Sequence, residues 1–274
     1  MIKYSYNTLV YAGEDIETSI ARLAKYGYDG VEFVGEPEQM DADSIRGLLE
    51  KYNIEASTIC AIYNAERDLV SSKENIRRNA VEYLKSCVDF ASKIGAKGIS
   101  LTPTACMKIY GEADRETELK WAEEGIREAG IYAGEHGVRL TVEAWNRYEN
   151  YLINRLEQSL ELVNRVNLPS VGVMGDTYHM NIEEVDIADT IRMVGDKLYH
   201  LHIADSNRAA PGRGHIDFEP IAQALRDINY SGYLTMELLP PFADPFNGTR
   251  CDEFYDQYTE ESINFLKNLF KEEK

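Results

Sequence analysis

The chain has 274 residues, of which 44% are hydrophobic and 28% charged, a composition typical of soluble globular proteins. Its formal net charge of -18 opposes contact with nucleic acid phosphates or an anionic membrane, so we expect neither as a partner. No apolar run approaches the roughly 18 residues of a membrane helix. The N-terminal MIKYSYNTLVY lacks a signal-peptide pattern, so we expect a cytoplasmic protein. Four cysteines without a C-x-x-C pair are expected to be free thiols, namely Cys60, Cys87, Cys106 and Cys251.

Eight short segments rich in β-branched and aromatic residues predict strands in chain order. They begin near residues 2, 30, 55, 97, 139, 171, 197 and 233, and read IKYSYN, GVEFVG, EASTICAI, KGISLTP, RLTVEAW, VGVMGDTYH, KLYHLHIAD and YLTMELLPP. Amphipathic stretches between them predict helices. In EDIETSIARLAKYG, for example, Ile16, Ile20 and Leu23 recur at helical spacing before Gly27.

This alternation of strands and helices predicts one (β/α)8 barrel domain that spans residues 1–274. The chain contains no low-complexity tract or linker that would divide it. An open doubly wound sheet is the alternative, and it would be expected to carry a glycine-rich phosphate turn after its first strand. The first strand leads instead into SYNTLVYAGED, so we favour the barrel.

Four consecutive predicted strands end in ionisable residues. Glu143, Asp176 and Glu237 end strands five, six and eight, and strand seven carries His200 and His202 on one face. Strand ends of a barrel converge on one pocket, where crowded carboxylates are costly unless a cation neutralises them. Three carboxylates and one imidazole suit Mn²⁺, Mg²⁺ or Co²⁺ better than a structural zinc ion. Only one histidine need bind the metal, since the other could support it or simply pack.

Each of these residues has a simpler explanation when it is taken alone. A single glutamate at a strand end is often a solvated loop residue, and a single histidine is often a hydrogen-bonded core group. The prediction of a metal site therefore rests on the agreement of four strands.

Longer motifs in the same region carry a family resemblance: EAWNRYEN, GDTYHMNIEE, DKLYHLHIADSNRAAPGRGHIDF and GYLTMELL. They resemble the xylose-isomerase-like superfamily of TIM-barrel sugar isomerases and epimerases, and within it the D-tagatose/D-psicose (allulose) 3-epimerase group. The resemblance covers the chain in strand order and is most specific from Glu143 to Glu237.

The resemblance implies roles for seven residues. The metal ligands it implies are Glu143, Asp176, His202 and Glu237. The two glutamates also correspond to the family's paired acid/base residues. The substrate-binding residues it implies are Glu149, His179 and Arg208. It also implies Mn²⁺ as the expected cofactor, with Co²⁺ or Mg²⁺ as alternatives, and it is compatible with a homo-oligomer, a dimer or a tetramer.

Other residues near the predicted site stay without an assigned role. Tyr6 and Glu32 end the first two strands, where the family lines its sugar pocket. The segment APGRGHIDF departs from the narrower ketose-epimerase pattern at Arg213, which leaves the substrate open.

Some of the implied and neighbouring residues also have structural explanations. Glu149 could pair with Arg147, and Arg208 could be a surface residue. We expect His179 in the loop above strand six, where it could also simply cap or pack within its turn. The aromatic residues of these motifs could be core or could present flat apolar surface to a sugar, and they are Trp145, Tyr148 and Tyr178.

The residues alone support a metal, two bases and an enediolate, which is proton transfer next to a carbonyl. If Glu143 and Glu237 flank opposite faces of the carbon, its configuration inverts, and the resemblance places that inversion at C3 of a ketose. If one face alone is used, the same residues would support an aldose–ketose isomerase. Whether the ketose is phosphorylated stays open.

Three other functions remain as alternatives to the epimerase. A hydroxypyruvate isomerase or an inosose dehydratase uses the same scaffold. A metal phosphoesterase resembling endonuclease IV would need more histidines than the five present, and it fits poorly with the charge of -18. A sugar-binding barrel without catalytic activity is the third.

Overall fold

The computed structural model describes residues 1–241 and 249–271, and its centre is a closed barrel of eight parallel strands. Each strand pairs with the next, and the eighth pairs with the first. The strands are β1 (Lys3–Asn7), β2 (Gly30–Val34), β3 (Glu55–Cys60), β4 (Gly98–Leu101), β5 (Arg139–Glu143), β6 (Val171–Asp176), β7 (Leu198–Ile203) and β8 (Tyr233–Met236). All eight lie within the predicted segments, so the predicted (β/α)8 barrel is confirmed.

Helices follow the strands. Within the described residues they are α1 (Ile16–Tyr26), α2 (Ala42–Tyr52), α3 (Glu74–Ile94), α4 (Arg115–Glu135), α5 (Leu156–Val166), α6 (Thr177–Glu183), α7 (Ile187–Val194), α8 (Phe218–Asp227) and α9 (Asp252–Leu269). None of these helices combines the length and the apolar character that crossing a membrane requires.

Helix α1 shows how the local sequence sets these elements. The Asp15 carboxylate accepts a hydrogen bond from the Thr18 backbone N–H and caps the first turn. Ile20 and Leu23 are buried on one face of the helix. The helix ends at Gly27, whose φ of +78° suits a residue without a Cβ atom.

The apolar core lies between the strands and the helices, whereas the barrel interior is largely polar. Outward-facing strand residues such as Val31, Phe33 and Ile99 are fully buried in that core. Inside the barrel, Ser5 and Ser57 are hydrogen-bonded through their hydroxyl groups at 2.6 Å. Charged side chains inside the barrel must therefore be paired with opposite charges or with hydrogen-bonding groups.

The register of β6 and β7 places two predicted site residues side by side. An irregularity between Val173 and Met174 shifts the pairing, after which Asp176 lies opposite His202. Bulges of this kind re-aim side chains near functional sites. All four cysteines are free thiols, as expected.

Candidate metal centre and active site

The structure brings together four of the predicted residues at the C-terminal ends of β5 to β8. Glu143 and Asp176 are the last residues of β5 and β6, His202 precedes the last residue of β7, and Glu237 follows β8 directly. All four side chains are buried, and one potential ligand atom from each lies within 4.8 Å of the others. The four strand ends therefore form one compact cluster with a possible metal-binding site.

Unpartnered atoms in the cluster fit a cation. Among buried side-chain atoms, Oε1 of Glu143 and Nδ1 of His202 have no hydrogen-bond partner. Burial raises the pKa of Glu143 to about 8, and the nearby Glu237 and Asp176 carboxylates add to that rise. Hard oxygen donors and one imidazole nitrogen at this spacing match the ligand preference of Mn²⁺, Mg²⁺ or Co²⁺. The residues present therefore fit a divalent ion.

The guanidinium of Arg208 bridges two members of the cluster. Its Nη1 donates to Asp176 Oδ2 at 2.5 Å, and its Nη2 donates to Glu237 Oε2. Burial would raise the pKa of both acids, but the positive charges of Arg208 and His202 hold the pKa of each below its ordinary value. Arg208 is thus a residue of the site and not a surface arginine.

The backbone of the loop after β7 positions Arg208. Arg208 adopts a φ of +62°, and its backbone N–H donates to the backbone carbonyl oxygen of Asp205 at 2.9 Å. The buried Asp205 carboxylate accepts from the backbone N–H groups of Gly212 and Ile216 at 2.8 and 3.1 Å. A Cβ atom on Gly214 would lie 2.1 Å from Asp205 Oδ1, so the glycine is required there. The motif APGRGH therefore shapes this loop.

Arg213 lies in the same loop but points away from the cluster. Its Nε donates to Glu261 Oε2 at 2.6 Å, and its guanidinium lies over the Tyr258 ring at 4.9 Å. Both partners belong to α9. Arg213 therefore joins the loop to the last helix, and the departure from the narrower epimerase pattern does not fall on a residue that contacts the cluster.

His179 was expected in a loop above strand six, and this expectation was wrong because α6 begins directly after Asp176. The Asp176 carboxylate accepts from the Tyr178 backbone N–H at 2.8 Å and so caps the helix. His179 lies in the first turn, buried, with Nε2 4.0 Å from Asp176 Oδ2. One aspartate thus both belongs to the cluster and fixes the helix that carries His179.

Asn146 determines which nitrogen of His179 faces the site. Nδ1 of His179 lies 2.8 Å from the Asn146 side-chain amide and 3.3 Å from its backbone nitrogen, and both groups donate. Burial lowers the pKa of His179, which favours the neutral ring. With Nδ1 accepting, the proton sits on Nε2, toward Asp176. The same amide donates to Glu149 Oε1 at 2.8 Å, so Asn146 links two predicted substrate-binding residues.

Arg147 does not pair with Glu149. Its guanidinium binds Glu183 in α6, with Nη2 2.7 Å from Oε2. The Glu149 carboxylate is therefore hydrogen-bonded to the side-chain amide of Asn146 and not to Arg147. The suggested Arg147–Glu149 pair is not formed.

The three aromatic residues of the motifs differ in their surroundings. Trp145 stacks on the His179 ring with 5.6 Å between centroids. The Tyr178 ring lies under the Arg208 guanidinium at 4.7 Å. Tyr148 is 71% exposed and forms part of the outer surface. Trp145 and Tyr178 thus support two predicted substrate-binding side chains.

On β1, the residue facing the cluster is Asn7 and not Tyr6. Tyr6 stacks on the Tyr11 ring at 4.9 Å, in the layer between strands and helices. Successive side chains of a strand point to opposite faces, so its neighbour points inward. Nδ2 of Asn7 donates to Glu237 Oε1 at 2.9 Å. The sequence interpretation missed Asn7, although the alternation of Ser5 and Asn7 with tyrosines signals it.

Glu32 lies on β2 beneath the cluster and contacts both histidines of β7. Its Oε1 is 2.7 Å from His202 Nε2, and its Oε2 is 2.9 Å from His200 Nε2. The Thr58 hydroxyl donates to the same carboxylate. Because β2 and β7 are not neighbours, these contacts cross the barrel interior. His200 therefore supports the interior and lies outside the four-residue cluster.

Comparisons with known proteins agree with this architecture. The sequence matches the family described as xylose isomerase-like TIM barrel over residues 20–269. The D-psicose 3-epimerase of Ruminiclostridium cellulolyticum is 34% identical over 231 residues, which cover 81% of this chain and 78% of that protein. The L-ribulose 3-epimerase of Methylomonas sp. is 31% identical over 242 residues, or 86% of this chain and 84% of that protein.

Among solved structures, the D-allulose 3-epimerase from Methylomonas sp. in complex with D-allulose is similar to this chain with a TM-score of 0.90. The identity is 28%, and the match covers 98% of this chain and 97% of that one. The family match, the relatives and the barrel lead to one conclusion, which confirms the resemblance inferred from the motifs: the chain belongs to the xylose isomerase-like TIM barrel family.

Proposed function

We propose that the protein is a divalent-metal-dependent ketose 3-epimerase. The observation that carries the proposal is the buried cluster of Glu143, Asp176, His202 and Glu237, with a glutamate on each of β5 and β8. The named activities of the relatives, D-psicose and L-ribulose 3-epimerases, supply the reaction class. They also support a free sugar with a ketone at C2 as the substrate class.

The four cluster residues would hold the cation. Mn²⁺ is the proposed ion, with Co²⁺ or Mg²⁺ as alternatives, because the donor set contains three carboxylates and one imidazole. Bound there, a divalent ion would polarise the substrate carbonyl and lower the cost of removing the adjacent C–H proton.

Glu143 and Glu237 would exchange the proton. Oε1 of Glu143 has no hydrogen-bond partner, so this oxygen is free to give or take a proton. Glu237 has Oε1 held by Asn7 and Oε2 held by Arg208, which fixes the orientation of the second carboxylate. Because the two residues come from separate strands, they can act on opposite faces of one carbon, which inverts its configuration.

The remaining predicted residues would bind the sugar. His179 presents its Nε2–H toward the cluster, held by Asn146, and is placed to donate to a substrate oxygen. Glu149 can accept from a hydroxyl group. Arg208 lies over the cluster and can donate to an oxygen of the ketose once the cation takes over the neutralisation of Asp176 and Glu237.

The charges around the cluster favour an unphosphorylated ketose. Arg208 is directed at Asp176 and Glu237, where the cation would bind, and Arg147 is engaged by Glu183. Residues 241–248, which follow β8, contain no lysine or arginine in sequence. A phosphate group would need surplus positive charge or a helix N-terminus, so a free sugar is the better fit.

The other candidate functions receive less support. A phosphoesterase resembling endonuclease IV would need a multi-zinc site with more histidines, whereas only one histidine belongs to the four-residue cluster. A hydroxypyruvate isomerase or an inosose dehydratase would use the same cation and bases, so only the substrate separates it from the proposal. A sugar-binding barrel without activity has no use for two glutamates in contrasting environments.

The test is a substrate panel assayed with the enzyme loaded with Mn²⁺. Free and phosphorylated pentuloses and hexuloses, hydroxypyruvate and an inosose are supplied separately, and products are identified by chromatography and NMR. We expect a free ketose to give its C3 epimer. Conversion of hydroxypyruvate or an inosose in preference to every ketose would contradict the proposed 3-epimerase and support the corresponding isomerase or dehydratase.

A further inference from the structure

Glu32 is a fully buried carboxylate that uses both oxygens inside the barrel. Oε1 faces His202 Nε2 at 2.7 Å, and Oε2 faces His200 Nε2 at 2.9 Å. The Thr58 hydroxyl also donates to Oε2. Three donors around two oxygens are all satisfied only when Glu32 is a carboxylate and each imidazole carries its proton on Nε2. The arrangement therefore places a proton on Nε2 of both rings.

Because Nε2 of His202 keeps its proton, Nδ1 is the ring nitrogen that can bind a cation. That nitrogen has no hydrogen-bond partner and lies 3.3 Å from Glu237 Oε2 and 3.9 Å from Asp176 Oδ2. The two sides of one ring therefore face different groups. Nε2 faces the carboxylate below, and Nδ1 faces the four-residue cluster above.

Glu32 is itself unsuited to binding a second ion with the two histidines. Glu32, His200 and His202 lie close enough to hold a metal. Such an ion would require both Nε2 atoms to be unprotonated. The two Nε2 lone pairs and the carboxylate oxygens would then all have to point at the ion, and the two hydrogen bonds between Glu32 and the histidines would be lost. The hydrogen-bonded arrangement gives both Glu32 oxygens and both Nε2 atoms a partner with no ion, so it is the one that the geometry favours.

We propose that Glu32 is the positioning residue of the metal centre: it holds His202 in the Nε2–H form and so selects Nδ1 as the metal ligand. The inference rests on the proposed metal site and extends it to a residue on the opposite side of the barrel. A carboxylate that orients a histidine ligand also increases the basicity of the coordinating nitrogen. Glu32 would act only through His202 and would not touch the substrate.

The first measurement is NMR of the protein labelled with ¹⁵N-histidine and saturated with Mg²⁺, which is diamagnetic. The chain has five histidines, and comparison with the His200→Gln and His202→Gln variants assigns the two rings. We expect His202 to carry its proton on Nε2. A His202 ring protonated on Nδ1 would overturn the inference, and this result does not depend on whether any Glu32 variant folds.

The second measurement is Mn²⁺ binding by electron paramagnetic resonance titration, with circular dichroism as the check on folding. Glu32→Gln should bind Mn²⁺ about ten- to a hundredfold more weakly than the wild type. Thr58→Val is the matched control, since it removes a donor to the same carboxylate but keeps the bond to His202, and its affinity should stay within about threefold.

The outcomes separate this inference from the proposed function. No Mn²⁺ binding by the wild type would refute the metal site itself. One bound ion with unchanged affinity in a folded Glu32→Gln variant would refute only the role of Glu32. Two ions per chain in the wild type, falling to one in Glu32→Gln, would make Glu32 a ligand and overturn the inference as well.

Discussion

The side-chain amide of Asn7 donates a 2.9 Å hydrogen bond to Oε1 of Glu237, across 230 positions of sequence. Asn7 Oδ1 meanwhile accepts from the Leu9 backbone N–H at 2.9 Å. One side chain thus fixes the turn that leaves β1 and holds one oxygen of a proposed base. The other oxygen of Glu237 accepts a hydrogen bond from the Arg208 guanidinium. The orientation of this carboxylate therefore depends on the first strand of the barrel.

Asn7→Asp should impair turnover while leaving the fold intact. The new carboxylate can still accept from Leu9 N–H, but it offers no donor to Glu237 and places a like charge beside it. A hydrogen bond to a charged group contributes about 1.5–3 kcal/mol, so we expect roughly a ten- to hundredfold loss in kcat/KM. Steady-state kinetics and circular dichroism check this. Near-native kcat/KM in a folded Asn7→Asp variant would show that the contact has no role in the reaction.

Arg208→Ala should change stability in a way that depends on the metal. Without a cation, the substitution leaves Asp176 and Glu237 buried without their partner, and breaking a buried ion pair costs about 3–5 kcal/mol. A divalent ion bound to the same carboxylates should offset much of that loss. We expect the Tm of Arg208→Ala to fall below that of the wild type in EDTA, and the gap to narrow in Mn²⁺.

Differential scanning fluorimetry of wild type, Arg208→Ala and Arg208→Lys gives the comparison, with the lysine variant as the control that keeps a positive charge. Metal content should survive in Arg208→Ala, while kcat/KM falls roughly ten- to a hundredfold through loss of a charged hydrogen bond to substrate. An equal Tm deficit with and without Mn²⁺ would contradict the shared role of arginine and cation.

Asn146→Ala should weaken substrate use through His179. The substitution removes a donor to Nδ1 and frees the ring to place its proton on either nitrogen. We expect kcat/KM to fall roughly two- to tenfold, since a neutral hydrogen bond contributes about 0.5–1.5 kcal/mol, while Mn²⁺ affinity stays unchanged. Kinetics beside a metal titration separate the two effects. A loss of Mn²⁺ equal to the loss of activity would place Asn146 with the metal site instead.

The strand-end residues could be predicted from sequence because barrel topology alone places them together. Glu143, Asp176 and Glu237 each end an apolar run, and the C-terminal ends of parallel strands share one face. That inference needs no knowledge of register or rotamer. It therefore identified residues that the structure gathers within 4.8 Å.

The positions of residues that act by orienting a neighbouring side chain could not be predicted from barrel topology alone. Glu32 meets His200 and His202 across the barrel, and that contact depends on strand register and on a bulge between β6 and β7. Asn146 meets His179 only because α6 begins directly after β6. Tyr6 was placed at the pocket because it lies at a strand end, without regard to which face of β1 it occupies.

The stability of the metal-free protein should fall as the pH rises toward 8, because of Glu143. Its pKa is raised from 4.5 to about 8 in the folded state, chiefly through burial. Between these values the folded state binds more protons than the unfolded state, so the free energy of unfolding decreases with rising pH. Glu143→Gln removes this titration.

The measurement is the Tm of both proteins in EDTA at several pH values from 5 to 9. We expect the wild type to lose stability relative to Glu143→Gln across this range, with the difference levelling off above about pH 8. Mn²⁺ binding should also release a proton below that pH, which calorimetry in two buffers of different ionisation enthalpy detects. Parallel Tm curves for the two proteins would show that Glu143 titrates in its ordinary range.

The two-base mechanism predicts where solvent hydrogen enters the product. If Glu143 and Glu237 act on opposite faces of one carbon, the returned proton comes from a carboxylic acid that exchanges with solvent. Turnover in D₂O should then place deuterium on C3 of the epimer. A hydride shift would carry hydrogen between carbons without exchange, and a 1,2-enediol isomerase would label C1 or C2. NMR of the product identifies the labelled carbon.

The Glu143→Gln and Glu237→Gln variants test the same two-base mechanism by removing one proposed base at a time. Each change is nearly isosteric and removes the basic carboxylate, so each should stop turnover while the barrel stays folded. Glu124→Gln is the matched control, since the Glu124 side chain is 63% exposed on α4 and its substitution should leave activity unchanged. Mn²⁺ content and circular dichroism accompany the assays. Unlabelled C3 in a confirmed C3 epimer, or near-native activity in either folded, metal-loaded cluster variant, would rule out the two-base mechanism.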